Sequence, residues 1–106
     1  MIGDIVGKGG RKTLKLVLPE IIKKENIDFV IAQGENSAGG FGLTMKTSQE
    51  FFDSGVNVIT SGNHIWDQKE TMEFITEEKR LLRPYNLTEG SPGEGLGVFQ
   101  TKNKKW

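Results

Sequence analysis

An α/β domain with a mostly parallel sheet and flanking helices is the fold class this sequence predicts, and three observations predict it. Short β-branched runs alternate with stretches of helical periodicity. Fourteen glycines in 106 residues fall into four groups, Gly3 to Gly10, Gly34 to Gly42, Gly55 to Gly62 and Gly90 to Gly97. Such groups recur about every 30 residues, the repeat of a βα unit. The run Ile27 to Ala32 is also nearly continuous in apolar character, as a strand buried on both faces should be.

Each element has its own grounds. Ile27 to Ala32 and Val56 to Thr60 read as strands, each followed by glycine. Residues 11–25 place Leu14, Val17, Leu18, Ile21 and Ile22 at helical spacing with lysines opposite, and Pro19 is expected to kink that helix or begin it. Residues 44–54 and 67–79 read as shorter helices with Thr44 and Asp67 as N-caps, and Gly55 as the stop of the first. Leu81 to Pro84 is expected to lead into a further strand, and Gly95 to Thr101 into another. Thr101 to Trp106 reads as a lysine-rich tail.

The totals exclude several classes. Fourteen Lys/Arg balance fourteen Asp/Glu, so no net field gathers nucleic acid or an anionic membrane, although a local basic patch is compatible with this. There is no cysteine, hence no disulfide framework and no thiolate metal site, which fits a cytoplasmic protein. No signal peptide and no apolar run near the roughly 18 residues of a membrane span are present. One domain, 1–106, is expected.

In parallel sheets ligands bind outside the carboxyl ends of the strands. Three such exits are expected here: Gly3-Asp4-Ile5-Val6-Gly7, Gly34-Glu35-Asn36-Ser37 and Gly62-Asn63-His64-Ile65-Trp66-Asp67. Asp4, Glu35 and Asn63 would bring carboxylate and amide oxygens to one rim, the donor set a hard or borderline divalent metal takes. A carboxylate bridging two metals clamps both oxygens of an in-line phosphoryl displacement. His64 would then protonate the leaving oxygen, and Asn36 would bind a phosphate oxygen or orient a ligand. Taken singly, Asp4 and Glu35 also suit helix caps, Asn63 a left-handed turn, and His64 the surface. Their succession at three strand exits favours the site. Phe41 either walls it or anchors its loop, and Trp66 suits a core or wall position.

Two phosphate motifs are approached and missed. Gly3 to Lys8 is one residue short of a P-loop, with Gly9 where Ser or Thr belongs, and Gly7-Lys8-Gly9-Gly10 lacks the third glycine of a dinucleotide fingerprint. Lys8 to Arg11 reads as an ordinary glycine turn, though its cations are suited to touching a phosphate.

Gly3 to Gly7, Gly34-Glu35-Asn36, Gly42-Leu43-Thr44, Ser54-Gly55, Gly62 to Asp67, Arg83-Pro84 and Pro92-Gly93 together resemble the YmdB-like metallophosphoesterases, in order and spacing along almost the whole chain. The resemblance implies half of an α/β sandwich with a dinuclear centre, most often iron or manganese, with magnesium or zinc as alternatives. It implies hydrolysis of phosphodiesters such as 2′,3′-cyclic nucleotides. Asp4 would bind one metal, Glu35 bridge both, Asn63 bind the second, His64 assist protonation, and Asn36 lie in the same shell. The family pattern continues for more than a hundred residues and supplies three further histidine ligands, whereas His64 is the one histidine here. The chain is therefore expected to be truncated, with weak metal binding and trace hydrolysis. The competing expectations are a non-catalytic remnant that binds a metal or nucleotide weakly, and a homo-oligomer paired through open sheet edges. Nucleic acid enters only as an indirect partner, and no membrane is expected.

Overall fold

The computed structural model describes residues 1–104. Six elements follow in order: α1 (Gly7–Lys24), β1 (Ile31–Gln33), α2 (Met45–Ser54), β2 (Val58–Thr60), α3 (Thr71–Phe74) and β3 (Leu81–Leu82). The strands form one parallel sheet in the order β1-β2-β3, with Ile31 opposite Val58 and Ile59 opposite Leu81. Parallel bridges extend it on both sides, Ile2 to Ala32 and Leu82 to Glu94. The predicted α/β class with a parallel sheet and flanking helices is the observed one. No helix of the described residues is long and apolar enough to cross a membrane.

Helix α2 shows how local sequence sets an element's bounds. The Thr44 hydroxyl accepts the Thr47 N–H at 3.1 Å, and the Thr47 hydroxyl accepts the Thr44 N–H at 2.8 Å, a reciprocal cap that starts the helix. Gly55 stops it in the left-handed region at φ 110°. Between them Phe51 is buried under the sheet with Ile59, Leu43, Ile65 and Leu81. Burying each such side chain stabilises the fold by roughly 1.5–3 kcal/mol. Helix α1 packs on α2 through the same layer, burying Leu14 and Leu18.

Several expectations are corrected. Helix α1 begins at Gly7, not near residue 11, so Lys8 to Arg11 is its first turn and no separate glycine loop. It also runs through Pro19 rather than starting there; Pro19 is exposed, so the carbonyl left unpaired one turn back can be met by water. Strand β1 lies later than Ile27 to Ala32, because the Val30 N–H is taken by the Asn57 side chain at 2.8 Å before the ladder starts. The helix expected over residues 67–79 shrinks to Thr71–Phe74 with Glu70 at its N-cap position, so Asp67 caps no helix. Gly95 to Thr101 forms no strand; pairing there is confined to the Glu94 bridge. In the lysine-rich tail, Asn103 donates to Asp28 at 3.0 Å, and residues 105–106 lie outside the described part.

Candidate active site

The three expected strand exits are tied into one rim by backbone hydrogen bonds. Gly34 N–H donates to the Thr60 carbonyl at 2.9 Å, holding the end of β1 against the end of β2. On the other side, Ile2 N–H donates to Ile31, Gln33 N–H to Ile2, and Ile5 N–H to Gln33, at 2.8, 3.1 and 3.2 Å. These bonds bracket Asp4, which is held at the rim although the leading strand amounts to a single bridge. Gly7 and Gly40 both donate to the Asn36 carbonyl, at 3.0 and 3.1 Å, so the loop after β1 is clamped between the start of α1 and the glycine-rich segment.

Glu35 is the most constrained of the site side chains. Its Oε1 accepts Gln33 Nε2–H at 2.8 Å and its Oε2 accepts the His64 backbone N–H at 3.2 Å. The carboxylate lies directly over Gly62, where an added Cβ would come within 2.3 Å of Oε2. Asp4 Oδ1 accepts Asn36 Nδ2–H at 2.9 Å, so these two polar side chains form a second unit. Asn63 sits exposed on the turn closed by Ile65 N–H to Gly62 O at 3.1 Å. Its side chain makes no hydrogen bond among the described residues.

His64 is oriented from two directions. Its Nδ1 lies 2.7 Å from Asp67 Oδ2, and the Phe41 ring meets the imidazole edge-on with centroids 6.1 Å apart. With Nδ1 turned to Asp67, Nε2 is the nitrogen left to exchange a proton with a ligand. Phe41 is 61% exposed, which makes it a wall beside the histidine rather than a packing anchor. Its loop is fastened by Gln68 Nε2–H to the Phe41 carbonyl at 2.9 Å. Trp66 is half-buried against the core.

Sequence reading overlooked Gln33, and read Arg11 only as a cation of a glycine turn. Gln33 ends the strand two residues before Glu35, and that spacing puts both side chains on one side of the backbone. Arg11 donates to the Ser37 carbonyl and, at 2.5 Å, to Glu50, bracing the loop that carries Glu35 and Asn36. Asp67 was misread as a cap. The rim is therefore two polar units, Asp4 with Asn36 and Glu35 with the His64 turn. Among the described residues no three His, Cys, Asp or Glu side chains gather as a metal-holding group.

The whole chain, residues 1–106, matches the family described as YmdB-like protein. The chain belongs to the YmdB-like family. It is 42% identical over 104 residues to a 2′,3′-cyclic-nucleotide 2′-phosphodiesterase of Bacillus subtilis, a match covering 98% of this chain and 39% of the relative. Among solved structures it is similar to a novel phosphatase from Mycoplasma pneumoniae, with TM-score 0.86, 38% identity, and coverage of 92% of this chain and 36% of that one. A hypothetical protein from Thermus thermophilus is similar at TM-score 0.80 and 37% identity, covering 91% of this chain and 38% of that one. The YmdB-like chain described here thus spans less than two fifths of the length of each of these relatives.

Proposed function

We propose that this chain carries the ligand-bearing rim of a metal-dependent phosphodiesterase acting on small phosphodiesters, with 2′,3′-cyclic nucleotides as the substrate class. The observation that carries the reading is Glu35, fixed by two N–H donors and packed over Gly62, where a side chain would collide with its carboxylate. A carboxylate so preorganised is better suited to a fixed ligand than to a solvated surface role. The similarity to a cyclic-nucleotide phosphodiesterase supports the substrate class.

The donors match a hard or borderline divalent cation in kind, being the Asp4 and Glu35 carboxylates and the Asn63 amide oxygen. Their number is that of one rim of a centre, since no group of three His, Cys, Asp or Glu forms among the described residues. Asp4, Glu35 and Asn63 would hold the ions, Glu35 from the strand exit that lies between those of Asp4 and Asn63, with iron or manganese as the expected metals. When bound, the ions supply Lewis-acid stabilisation of charge on the phosphoryl oxygens. In the hydrolysis a water oxygen forms a bond to phosphorus and one ribose P–O bond breaks, and the proton that the water gives up to solvent balances the one that His64 spends and later regains. His64, held by Asp67, gives the departing oxygen its proton through Nε2. Asn36 orients the Asp4 carboxylate through its amide N–H.

The test is hydrolysis of a 2′,3′-cyclic nucleotide with added manganese by this chain, beside its Glu35→Ala and His64→Ala variants. Trace turnover that both substitutions abolish is the expected result. Turnover indifferent to both would remove Glu35 and His64 from the chemistry and overturn the proposal.

A further inference from the structure

Helix α1 breaks a rule that stable helices follow. Its first turn contains no acidic residue, and its N-cap position, Val6, gives no side-chain cap. Instead Lys8, Arg11, Lys12 and Lys15 occupy the i, i+3, i+4 and i+7 positions of one face. Lys8, in the first turn, opposes the positive end of the helix dipole, and like charges three and four residues apart repel one another. With the net charge of the chain at zero, this clustering is a local arrangement and not a reflection of a basic protein. Sequence features that cost stability without local compensation are expected at functional sites.

The stripe lines a groove of about 440 Å³ together with Lys46 and Glu50 of α2. Glu50 is taken by Arg11 at 2.5 Å. Lys8, Lys12, Lys15 and Lys46 are exposed and make no ion pair among the described residues. The groove also leads to the rim. Lys8 follows Gly7, whose N–H holds the Asn36 carbonyl at 3.0 Å, and Arg11 reaches the Ser37 carbonyl. From Lys8 to Lys15 the helix rises about 10 Å, a length suited to a short run of phosphates rather than to a single one.

The geometry points to a second binding surface: the α1 stripe holds the phosphate backbone of single-stranded RNA and leads its 3′ end to the rim. This rests on the phosphodiesterase reading and narrows its substrate from a free nucleotide to the end of an oligoribonucleotide. The cyclic 2′,3′ linkage requires a ribose 2′-hydroxyl, which is why the polyanion is RNA. The lysines read only phosphates, so the surface binds without sequence preference.

The experiment is fluorescence anisotropy with this chain and a labelled single-stranded oligoribonucleotide of about eight nucleotides, ending in a 2′,3′-cyclic phosphate. The Lys12→Glu/Lys15→Glu double variant is measured beside it over a range of salt. We expect the double variant to bind at least about ten-fold more weakly, and the log–log salt slope to fall by about 0.7 for each lysine removed. Its thermal midpoint should hold or rise, because both positions are exposed and the change replaces like-charge repulsion with attraction to Lys8 and Arg11 four residues before; weak binding by a folded variant is therefore not a folding defect. A double variant that binds like the parent overturns the proposal. So does lysine-dependent binding to phosphatidylserine vesicles with none to the oligonucleotide. The two readings fail separately. Lysine-dependent RNA binding without cyclic-nucleotide hydrolysis supports the stripe and counts against the phosphodiesterase, and Glu35-dependent hydrolysis with lysine-indifferent binding does the reverse.

Discussion

The Glu35 carboxylate occupies the space that a side chain at position 62 would need: a Cβ on Gly62 would lie 2.3 Å from Oε2 and 2.5 Å from both Cδ and Oε1. Gly62 precedes Asn63 and His64, so one glycine lets the exit of β2 close onto the carboxylate from the exit of β1. The two motifs are sterically a single feature.

Gly62→Ala should therefore act through Glu35. The side chain is half-buried and flexible, so it can swing away at a cost of about 1 kcal/mol or less. Metal affinity should suffer far more. Thermal melting with and without manganese separates the two effects. At metal about 100-fold above its Kd, the parent gains about 2.7 kcal/mol. Gly62→Ala and Glu35→Ala should both lose that gain while their metal-free midpoints stay close to the parent's. A full manganese shift in Gly62→Ala would show that Glu35 is not a ligand.

Asp67 holds Nδ1 of His64 at 2.7 Å, and removing it frees the ring to turn against Phe41. Asp67→Ala should slow hydrolysis about ten-fold, acting on kcat more than on KM. His64→Ala should cost the larger factor of about 10²–10⁴ typical of a lost general acid. Equal losses in the two variants would give Asp67 a part in the chemistry itself.

How much of this could be read beforehand depends on how local each cause is. Thr44 and Gly55 were legible because caps act within a few residues. Asp67 was not, since its carboxylate turns back to His64 and leaves the helix to start at Thr71. The glycines at the start of α1 read as a turn, yet Gly10 lies inside the helix, where a Cβ would come within 2.9 Å of Ile5 Cγ2. There the glycine serves close packing, which propensity cannot report. At the site, Asp4, Glu35, Asn36, Asn63 and His64 were all placed on strand exits, and the exits do meet. Two of the tethers that bind them into a rim were hidden because Arg11 and Gly62 act across the fold rather than along the chain; Gln33 acts on Glu35 from two residues away, a spacing the sequence does carry.

The ends of α2 give a stability prediction independent of the site. Thr44→Ala removes the hydroxyl that accepts the Thr47 N–H and should cost about 1 kcal/mol. Gly55→Ala places a Cβ at φ 110°, 2.6 Å from Ile22 Cδ1. Left-handed backbone alone costs roughly 1–2 kcal/mol for an alanine, and the contact with α1 adds to it. Urea unfolding should therefore rank Gly55→Ala as the more damaging change. The reverse order would mean that the cap outweighs the strain.

The acid side of the stability curve should carry the mark of Glu78. Its carboxyl is held below the usual glutamate range chiefly by the side-chain hydrogen bonds from Arg80, against an opposing effect of burial. Oε1 accepts the Arg80 backbone N–H at 3.0 Å and Nε–H at 2.9 Å, and Oε2 accepts Nη2–H at 3.0 Å. The Arg80 guanidinium also lies 3.7 Å from the Phe52 ring centroid, which ties the pair to α2 just before β3. A carboxyl whose pKa is lower folded than unfolded binds protons more readily in the unfolded chain. Its contribution is thus complete above the ordinary glutamate value, about 4.3, and is lost as pH falls through the depressed folded value. Glu78→Gln should be less stable than the parent near neutrality, and the gap should close as the parent titrates in acid. A gap constant across that range would show that the pair stabilises by packing on Phe52 and not by charge.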